Sequence, residues 1–287
     1  MVADVLKRRL IFVGGKGGVG KTLVSQAIAQ SLPGKVLWVV FEDPLRAPNE
    51  LIQKSSKLWH FNCEAGASFE EYVALKISFL PLAKLFLSNK LIRYLAKAAP
   101  GIHELVLLGK VWHDRVHYDH VVCDMPSTGY GLAMFKSMEN FSSLFQGGPI
   151  QRDAEKMIAT FNDPKECGQL IVSLPEEMPL VESLELRKFL LELFPGNEPA
   201  LLVNRLMPGT DVAAHSVGTP DSWPSPVASS PENYLRKRLA LEKYNLRIWD
   251  ELGLNYGRLN YVPPSPEKGP AAIIDRLSEQ LSEKGMM

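Results

Sequence analysis

The residues of this chain with the clearest chemical use form a glycine-rich loop near the N-terminus. The spacing from Gly15 to Thr22 fits the phosphate-binding pattern G-x-x-x-x-G-K-[ST]. Glycines let consecutive backbone N–H groups turn toward phosphate oxygens without side-chain clashes. Lys21 is expected to reach the β- and γ-phosphates, and the Thr22 hydroxyl to bind Mg²⁺. The motif predicts an ATP or GTP site made by Gly15, Lys16, Gly17, Gly18, Val19, Gly20, Lys21 and Thr22.

Two aspartates each follow an apolar run and could work on the same nucleotide. Asp43 comes after Val36–Phe41, and Asp124 comes after His120–Cys123. A carboxylate at a strand tip beside the γ-phosphate can orient the attacking water or accept its proton. An apolar strand that ends in Asp is the arrangement that holds Mg²⁺ directly or through water. Asp43 is therefore a candidate catalytic residue, with Glu42 as a weaker substitute, and Asp124 is a candidate magnesium ligand.

An asparagine at the end of a later apolar run could recognise the base. Asn204 follows Ala200–Val203, and its amide offers both a donor and an acceptor to an adenine edge. A cap on the chain at the end of the strand is the alternative role for this side chain.

The elements that must position these residues are short apolar strands separated by helical stretches. The candidate strands are Arg9–Val13, Val36–Phe41, His120–Cys123, Gln169–Ser173, Ala200–Val203 and Leu259–Val262. Strands rich in Val, Ile and Leu on both faces are typical of a buried parallel sheet, and Leu180–Phe194 shows helical periodicity. The alternation predicts an α/β fold, a doubly wound and mostly parallel sheet flanked by helices. In such sheets ligands lie at the carboxyl ends of the strands, where all four motifs fall.

Composition limits the classes of partner and compartment. Basic and acidic residues balance at 32 each, so no nucleic-acid partner is expected. Cys63, Cys123 and Cys167 are far apart and form no pair motif, so neither a disulfide framework nor a zinc site is expected. The apolar runs are too short for a membrane span. These features predict a cytoplasmic protein. The length allows one large α/β domain or two small ones, and we expect a single P-loop ATPase domain over residues 1–287.

Several motifs together resemble one family of nucleotide hydrolases. The loop carries a second lysine, Lys16, in K-G-G-V-G-K-T; Asp43-Pro44 and the run Asp124–Gly131, D-M-P-S-T-G-Y-G, follow. Further similarity lies in residues 100–112, 174–182 and 261–269. The chain resembles the ArsA-like anion-transporting ATPases, the deviant Walker A group that includes arsenite-pump ATPases and the tail-anchored protein targeting factor.

The resemblance implies roles for named residues. Lys16 would reach across a dimer to the nucleotide of the other subunit, and Asp43 would position the attacking water. Asp124, Thr128 and Gly129 would belong to switch II. The family's base-reading Asn corresponds to Asn204, which favours ATP, and Pro263 and Pro264 would pack on the adenine.

The chain departs from the family pattern at several places. Leu45-Arg46 stand where the family has Ala-His, Tyr130 stands where it has His, and Pro126-Ser127 invert the usual order. The three cysteines do not match the arsenite-binding thiols. The CxxC pair of the targeting factor is missing after Asn204, where a Pro/Ser-rich insertion is predicted at residues 216–231.

These features predict an ATP- and Mg²⁺-dependent ATPase that cycles between open and closed dimers, either with itself or with a related ATPase. An apolar helical region at about residues 66–112 could bind a client helix or a membrane-associated partner, or could pack against the sheet. The alternatives are a MinD/ParA-type positioning factor, an arsenite-pump subunit and a non-catalytic nucleotide sensor.

Overall fold

The structure is a computed structural model that describes residues 1–76, 101–144, 149–208, 231–267 and 269–287. Its strands are β1 (Leu10–Gly14), β2 (Val36–Phe41), β3 (Leu51–Gln53), β4 (Leu58–Cys63), β5 (His120–Asp124), β6 (Cys167–Ser173), β7 (Ala200–Leu206) and β8 (Tyr256–Asn260). Its helices are α1 (Val2–Val5), α2 (Lys21–Ser31), α3 (Ala65–Lys76), α4 (Ile102–Asp114), α5 (Thr128–Leu144), α6 (Pro149–Asn162), α7 (Glu177–Leu193), α8 (Pro231–Glu251) and α9 (Gly269–Glu283).

The strands form one sheet in the order β3-β4-β2-β5-β1-β6-β7-β8. Every neighbouring pair is parallel except β3 with β4, which is antiparallel. The predicted doubly wound, mostly parallel α/β sheet is therefore confirmed. Because β2, β5, β1, β6 and β7 are parallel neighbours, their carboxyl ends lie at one edge of the sheet.

Alternating side chains of each strand pack into two hydrophobic cores, one on each face of the sheet. In β1, Leu10 and Phe12 pack with residues of α4–α7, whereas Ile11 and Val13 pack with residues of α1, α2 and α9. The first core contains edge-to-face contacts of Phe12 with Phe135 and Phe161, at 5.1 and 5.0 Å between ring centroids. Burial on both faces explains why these strands read as continuous apolar runs.

Two strands were absent from the sequence prediction, and both have a physical reason. β3 is a three-residue edge strand with exposed Leu51 and Gln53. β4 carries the buried polar residues His60 and Asn62, so its pattern does not read as a core strand. The Asn62 amide is satisfied by the loop after β2, because Asp43 N–H donates to its oxygen at 2.9 Å and its nitrogen donates to Ala47 O at 3.0 Å.

Element boundaries differ from the prediction where proline or local bonding intervenes. The predicted strand Leu259–Val262 is observed as Tyr256–Asn260, and it ends before Pro263, which cannot donate to a ladder. The predicted helix Leu180–Phe194 is observed as Glu177–Leu193, with Pro179 tolerated in its first turn. In the predicted helical region at 66–112, residues 77–100 lie outside the described part. So does the predicted insertion at 216–231, except that Pro231 begins α8.

His60 makes the stability of this fold sensitive to pH. Its side chain is 4% exposed and stacks on Trp38 at 4.6 Å between ring centroids. Within the described residues neither ring nitrogen has a hydrogen-bond partner. Desolvation by burial, with a smaller contribution from Lys54 and Arg46, lowers the pKa of His60.

We therefore expect the free energy of unfolding to fall as the pH drops below about 6.5, the pKa of histidine in an unfolded chain. Below that pH His60 binds a proton in the unfolded chain. In the folded chain His60 stays neutral until the pH reaches its lowered pKa. The slope for one such group is at most about 1.4 kcal/mol per pH unit. Urea titrations of wild type, His60→Phe and the exposed control His117→Gln between pH 5 and 8 measure it. An unchanged pH slope in His60→Phe would contradict the assignment.

Candidate functional site

The glycine loop after β1 has the backbone shape that its sequence predicts. Gly15, Gly18 and Gly20 have φ values of 137°, 86° and 92°, which non-glycine residues rarely adopt. A Cβ on Gly15 would lie 2.2 Å from the carbonyl oxygen of Val172 in β6, so the close approach of the chains also requires glycine there. Gly20 is the N-cap of α2, so the loop amides and the positive end of the helix dipole face the same space.

Lys21 begins α2 and places its cation inside this loop. The residue is 9% exposed, and its Nζ donates to the backbone oxygen of Lys16 at 3.0 Å. Burial lowers the pKa of Lys21, and the Asp124 carboxylate opposes this shift. A cation held among backbone amides is suited to binding the terminal phosphates of a nucleotide.

Thr22 and Asp124 meet although 102 residues separate them in the chain. The Thr22 hydroxyl donates to Asp124 Oδ2 at 2.6 Å. Asp124 Oδ1 is buried, and within the described residues it has no hydrogen-bond partner. Burial raises the pKa of Asp124 to about 6, against the opposing effects of Thr22 and Lys21. A hydroxyl and a carboxylate with a free oxygen are the hard donors that Mg²⁺ prefers, so these residues fit the expected ion.

Asp43 and Glu42 follow β2 and point to different partners. One Asp43 oxygen accepts the backbone N–H of Leu45 at 3.0 Å, which is the turn-cap contact expected before Pro44. Glu42 has φ 54°, an uncommon value for a residue with a side chain. Its carboxylate lies 2.6 Å from His103 Nε2, and the Tyr130 hydroxyl donates to it at 3.5 Å. Glu42 therefore links the loop after β2 to α4 and to the first turn of α5.

The predicted switch II residues begin α5 beside the glycine loop. Thr128 is the first residue of that helix, and its buried hydroxyl has no hydrogen-bond partner among the described residues. A Cβ on Gly17 would lie 3.9 Å from the Cβ of Ser127. Gly129 is exposed. This segment thus contacts the loop on the side that Thr22 and Asp124 occupy.

Asn204 closes the opposite side of the loop. Its side chain is 4% exposed; Nδ2 donates to the backbone oxygen of Val19 at 3.0 Å, and Oδ1 accepts the N–H of Arg205 at 2.9 Å. The amide therefore fastens β7 to the loop and uses one N–H and one lone pair in these two bonds. Pro263 and Pro264 are exposed at the same sheet edge, where Tyr261 N–H donates to Leu206 O at 2.7 Å.

Helix α8 bonds both to the segment that joins β6 to α7 and to the chain that leaves β7 after Asn204. Asn245 Nδ2 donates to the oxygen of Pro175 at 3.1 Å, and Trp249 Nε1 donates to that of Leu180 at 3.4 Å. The fully buried Glu242 accepts the N–H of Met207 at 3.0 Å. The loop after β6 and the chain leaving β7 are therefore held by one helix.

Lys16 makes an ion pair within its own chain that the sequence did not reveal. Its Nζ lies 2.5 Å from Glu182 Oε1, on α7, and both side chains are partly exposed. Glu182 falls in the 174–182 stretch that carries the family resemblance, but no spacing rule connects it with Lys16. The same holds for His103, which lies in the 100–112 stretch and pairs with Glu42.

The three thiols are poorly suited to metal or arsenic chemistry. Cys63, Cys123 and Cys167 are all buried and free. Burial raises the pKa of Cys63 to about 12 and those of Cys123 and Cys167 well above their ordinary value. Since the thiolate is the form that binds soft ions, the cysteines behave as small apolar core residues.

The described part of the chain lacks two other kinds of feature, a membrane-spanning helix and a cluster of metal-binding side chains. Across residues 1–76, 101–144, 149–208, 231–267 and 269–287, no helix has the length and apolarity to cross a bilayer. The same ranges contain no group of three or more His, Cys, Asp or Glu residues arranged to hold a metal ion.

Comparisons with known proteins agree with the geometry of the loop. The model of the anion-transporting ATPase family matches residues 8–53. ATPase BagA of Mycobacterium tuberculosis is 26% identical over 227 residues, which cover 70% of this chain and 66% of that protein. A protein of Aquifex aeolicus named "Putative arsenical pump-driving ATPase 2" is 28% identical over 155 residues, covering 48% of this chain and 52% of that protein. The matched part thus spans just under two thirds of the first relative and about half of the second.

The buried Asp124 carboxylate is expected to reduce stability while it serves ligand binding. Asp124→Asn keeps an acceptor for Thr22 and removes a desolvated charge, so it should stabilise the ligand-free protein at pH 7 by on the order of 1–3 kcal/mol. The extra thermal stability that Mg²⁺ and ATP give the wild type should be lost.

Thermal unfolding with and without ATP and Mg²⁺ measures both effects. The control is Asp275→Asn. The Asp275 carboxylate is exposed and accepts a hydrogen bond from Gln30, which an asparagine amide can also accept. A lower unfolding temperature for ligand-free Asp124→Asn, or full retention of the ligand effect, would contradict this account.

Proposed function

We propose that this chain, which is similar to anion-transporting ATPases, is an ArsA-like ATPase that hydrolyses ATP with Mg²⁺. We further propose that two copies, or one copy and a related ATPase, close on ATP and use the cycle to hold and release a partner. The single observation that carries the ATPase proposal is the 2.6 Å contact between Thr22 and Asp124 beside Lys21. It joins the phosphate loop and the magnesium carboxylate at one sheet edge.

We propose one role for each of the candidate side chains. Lys21 and the loop amides bind the β- and γ-phosphates, while Thr22 and Asp124 hold Mg²⁺. Asp43 orients the water that attacks the γ-phosphorus as the bond to the leaving ADP oxygen breaks. One Asp43 oxygen caps the turn at Leu45, so the other oxygen is the one proposed to contact the water. Asn204 reads the adenine edge, and Pro263 and Pro264 flank the base.

A cavity lined largely by the predicted client region supports the partner proposal. It has a volume of about 670 Å³ and lies between α3, α4 and α6. Its apolar lining residues include Phe69, Leu75, Ile102, Leu105, Trp112 and Met157. Lys110 lies at the polar side, 2.6 Å from Glu71 and 2.9 Å from Asp114. An apolar surface with a few fixed charges suits an apolar helix of a client or of a membrane-associated partner.

The cysteine environments argue against an arsenite-pump role for the described part. Arsenite is a soft species that thiolates bind, and burial keeps all three thiols protonated. The MinD/ParA-type role predicts ATP-dependent association with membrane or DNA, which the partner experiment below also detects.

ATP turnover of the Asp43→Asn variant tests the proposed hydrolysis mechanism. The substitution should lower ATP turnover by about 10²- to 10⁴-fold, because it removes the group that positions water, and leave ATP affinity within a few-fold. Glu42→Gln is the matched variant one residue away, and Lys21→Ala should lose ATP binding. If turnover falls in Glu42→Gln and survives in Asp43→Asn, Glu42 is the catalytic carboxylate. Turnover that stays at the background level in the wild type and in both variants would favour a nucleotide sensor.

The same variant traps the partner. We would isolate Asp43→Asn with ATP and Mg²⁺ from its native host and identify bound proteins by mass spectrometry, with Lys21→Ala as background. Enrichment of membrane proteins with a single apolar helix supports client binding. Soluble partners or a related ATPase alone would rule the client proposal out.

Lys16 is proposed to act in trans, and its pair with Glu182 gives this proposal a measurable consequence. A lysine that must reach the other subunit has to leave Glu182 first. Because both side chains are partly exposed, the pair is worth at most about 1 kcal/mol. In the Asp43→Asn background, Glu182→Gln should lower the ATP concentration for dimer formation by up to about 5-fold.

Light scattering after size exclusion measures the dimer, and Lys16→Ala should abolish it. The neighbouring exposed carboxylate Glu185 provides the control Glu185→Gln. An ATP-dependent dimer that forms normally with Lys16→Ala would refute the trans role.

A further inference from the structure

Arg205 has an unusual backbone for a residue with a long side chain. It lies in β7 with φ 60°, in the left-handed region that L-residues rarely occupy. The register of β7 against β8 shifts between Val203 and Leu206, so the strand carries a bulge at this point. Bulges re-aim a side chain that a regular strand would direct elsewhere, and such strain often marks a functional position.

Hydrogen bonds on both sides hold the bulge in this shape. The Arg205 N–H donates to Asn204 Oδ1, and Asn204 Nδ2 donates to Val19 O in the glycine loop. Two residues further on, Met207 N–H donates to the buried carboxylate of Glu242, which also accepts from Arg238 Nε at 2.8 Å. The conformation of Arg205 is thus fixed by the glycine loop on one side and by α8 on the other.

The side chain that this backbone presents lies beside the nucleotide loop. Arg205 is exposed, and a Cβ on Gly20 would lie 3.8 Å from its Nη2 nitrogen. In the part of the chain that the structure describes, no carboxylate pairs with this guanidinium, whereas Arg187, Arg238, Arg247 and Arg276 all have acidic partners. The backbone of Arg205 is fixed beside the loop, and its guanidinium, unpaired among the described residues, is available to a ligand.

The side of the loop on which Arg205 lies favours the base over the phosphates. Lys21, Thr22 and Asp124 cluster on the β5 side of β1, where the terminal phosphates and Mg²⁺ belong. Arg205 lies on the β7 side with Asn204. A guanidinium is planar and stacks on aromatic faces, with the attraction of a cation for a π-system added.

We infer that Arg205 contacts the base of the nucleotide, with its guanidinium plane packed on the purine face while Asn204 reads the purine edge. This inference rests on the proposed ATP site. Stacking engages any purine equally, so Arg205 supplies affinity and Asn204 supplies the preference for adenine. Neither contact involves the phosphates.

The test measures binding of ATP, GTP and inorganic tripolyphosphate to wild type, Arg205→Ala and Arg205→Lys. Isothermal titration with Mg²⁺ gives the dissociation constants, and Arg276→Ala on α9 is the remote control. Arg205→Ala should weaken ATP and GTP by the same factor, about 3- to 30-fold for the loss of a cation–π contact. Tripolyphosphate should bind all variants equally. Arg205→Lys should stay weakened, because lysine keeps the charge and loses the plane.

Three results would overturn the inference. Unchanged ATP affinity in Arg205→Ala would show that Arg205 does not contact the ligand. Equal weakening of tripolyphosphate, with recovery in Arg205→Lys, makes Arg205 a phosphate ligand. Loss of ATP with GTP unaffected makes it an edge reader. Failure of the wild type to bind any nucleotide refutes the proposed function itself, which is distinguishable from all three.

Discussion

The candidate site depends on a buried carboxylate that reaches a threonine across the join between β5 and the glycine loop. Asp124 has one oxygen bonded to Thr22 and one buried oxygen without a partner among the described residues. Desolvation of an incompletely bonded charge opposes folding, so the surrounding sheet must hold it in place. It does so because β1 lies between β5 and β6 and two full cores pack on its faces. The features that make this site costly to fold are those that suit a hard cation.

The two ends of the proposed nucleotide site differ in the groups that form them, backbone amides at one end and side chains at the other. The phosphate end consists mainly of backbone amides, ordered by glycines whose φ values other residues rarely adopt. The base end consists of the side chains of Asn204 and Arg205, whose backbone is itself fixed by hydrogen bonds to Val19 and Glu242. A backbone cradle binds any polyphosphate, whereas discrimination among bases requires side chains. In the proposed site, affinity for phosphate would therefore be separate from recognition of the base.

The sequence predicted those parts of the fold that depend on local pattern. The glycine loop, six strands of the buried sheet and their common edge follow from motif spacing and from runs such as Val36–Phe41. β4 was missed because His60 and Asn62 are buried polar residues, and no local pattern shows that the loop at Asp43 satisfies Asn62. The pairs Lys16–Glu182 and Glu42–His103 were missed for the same reason, since each joins elements far apart in sequence. Whether Asp43 positions water is likewise a question of tertiary geometry, because a turn cap uses the same carboxylate.

The hydrogen bonds of α8 have a mechanical consequence. This helix bonds the oxygens of Pro175 and Leu180 at the start of α7, and through Glu242 it bonds the chain leaving β7. The helix that carries Glu182 and the bulge that carries Arg205 are thus both held by hydrogen bonds to α8. A displacement of α7 is therefore coupled through α8 to the bulge at Arg205.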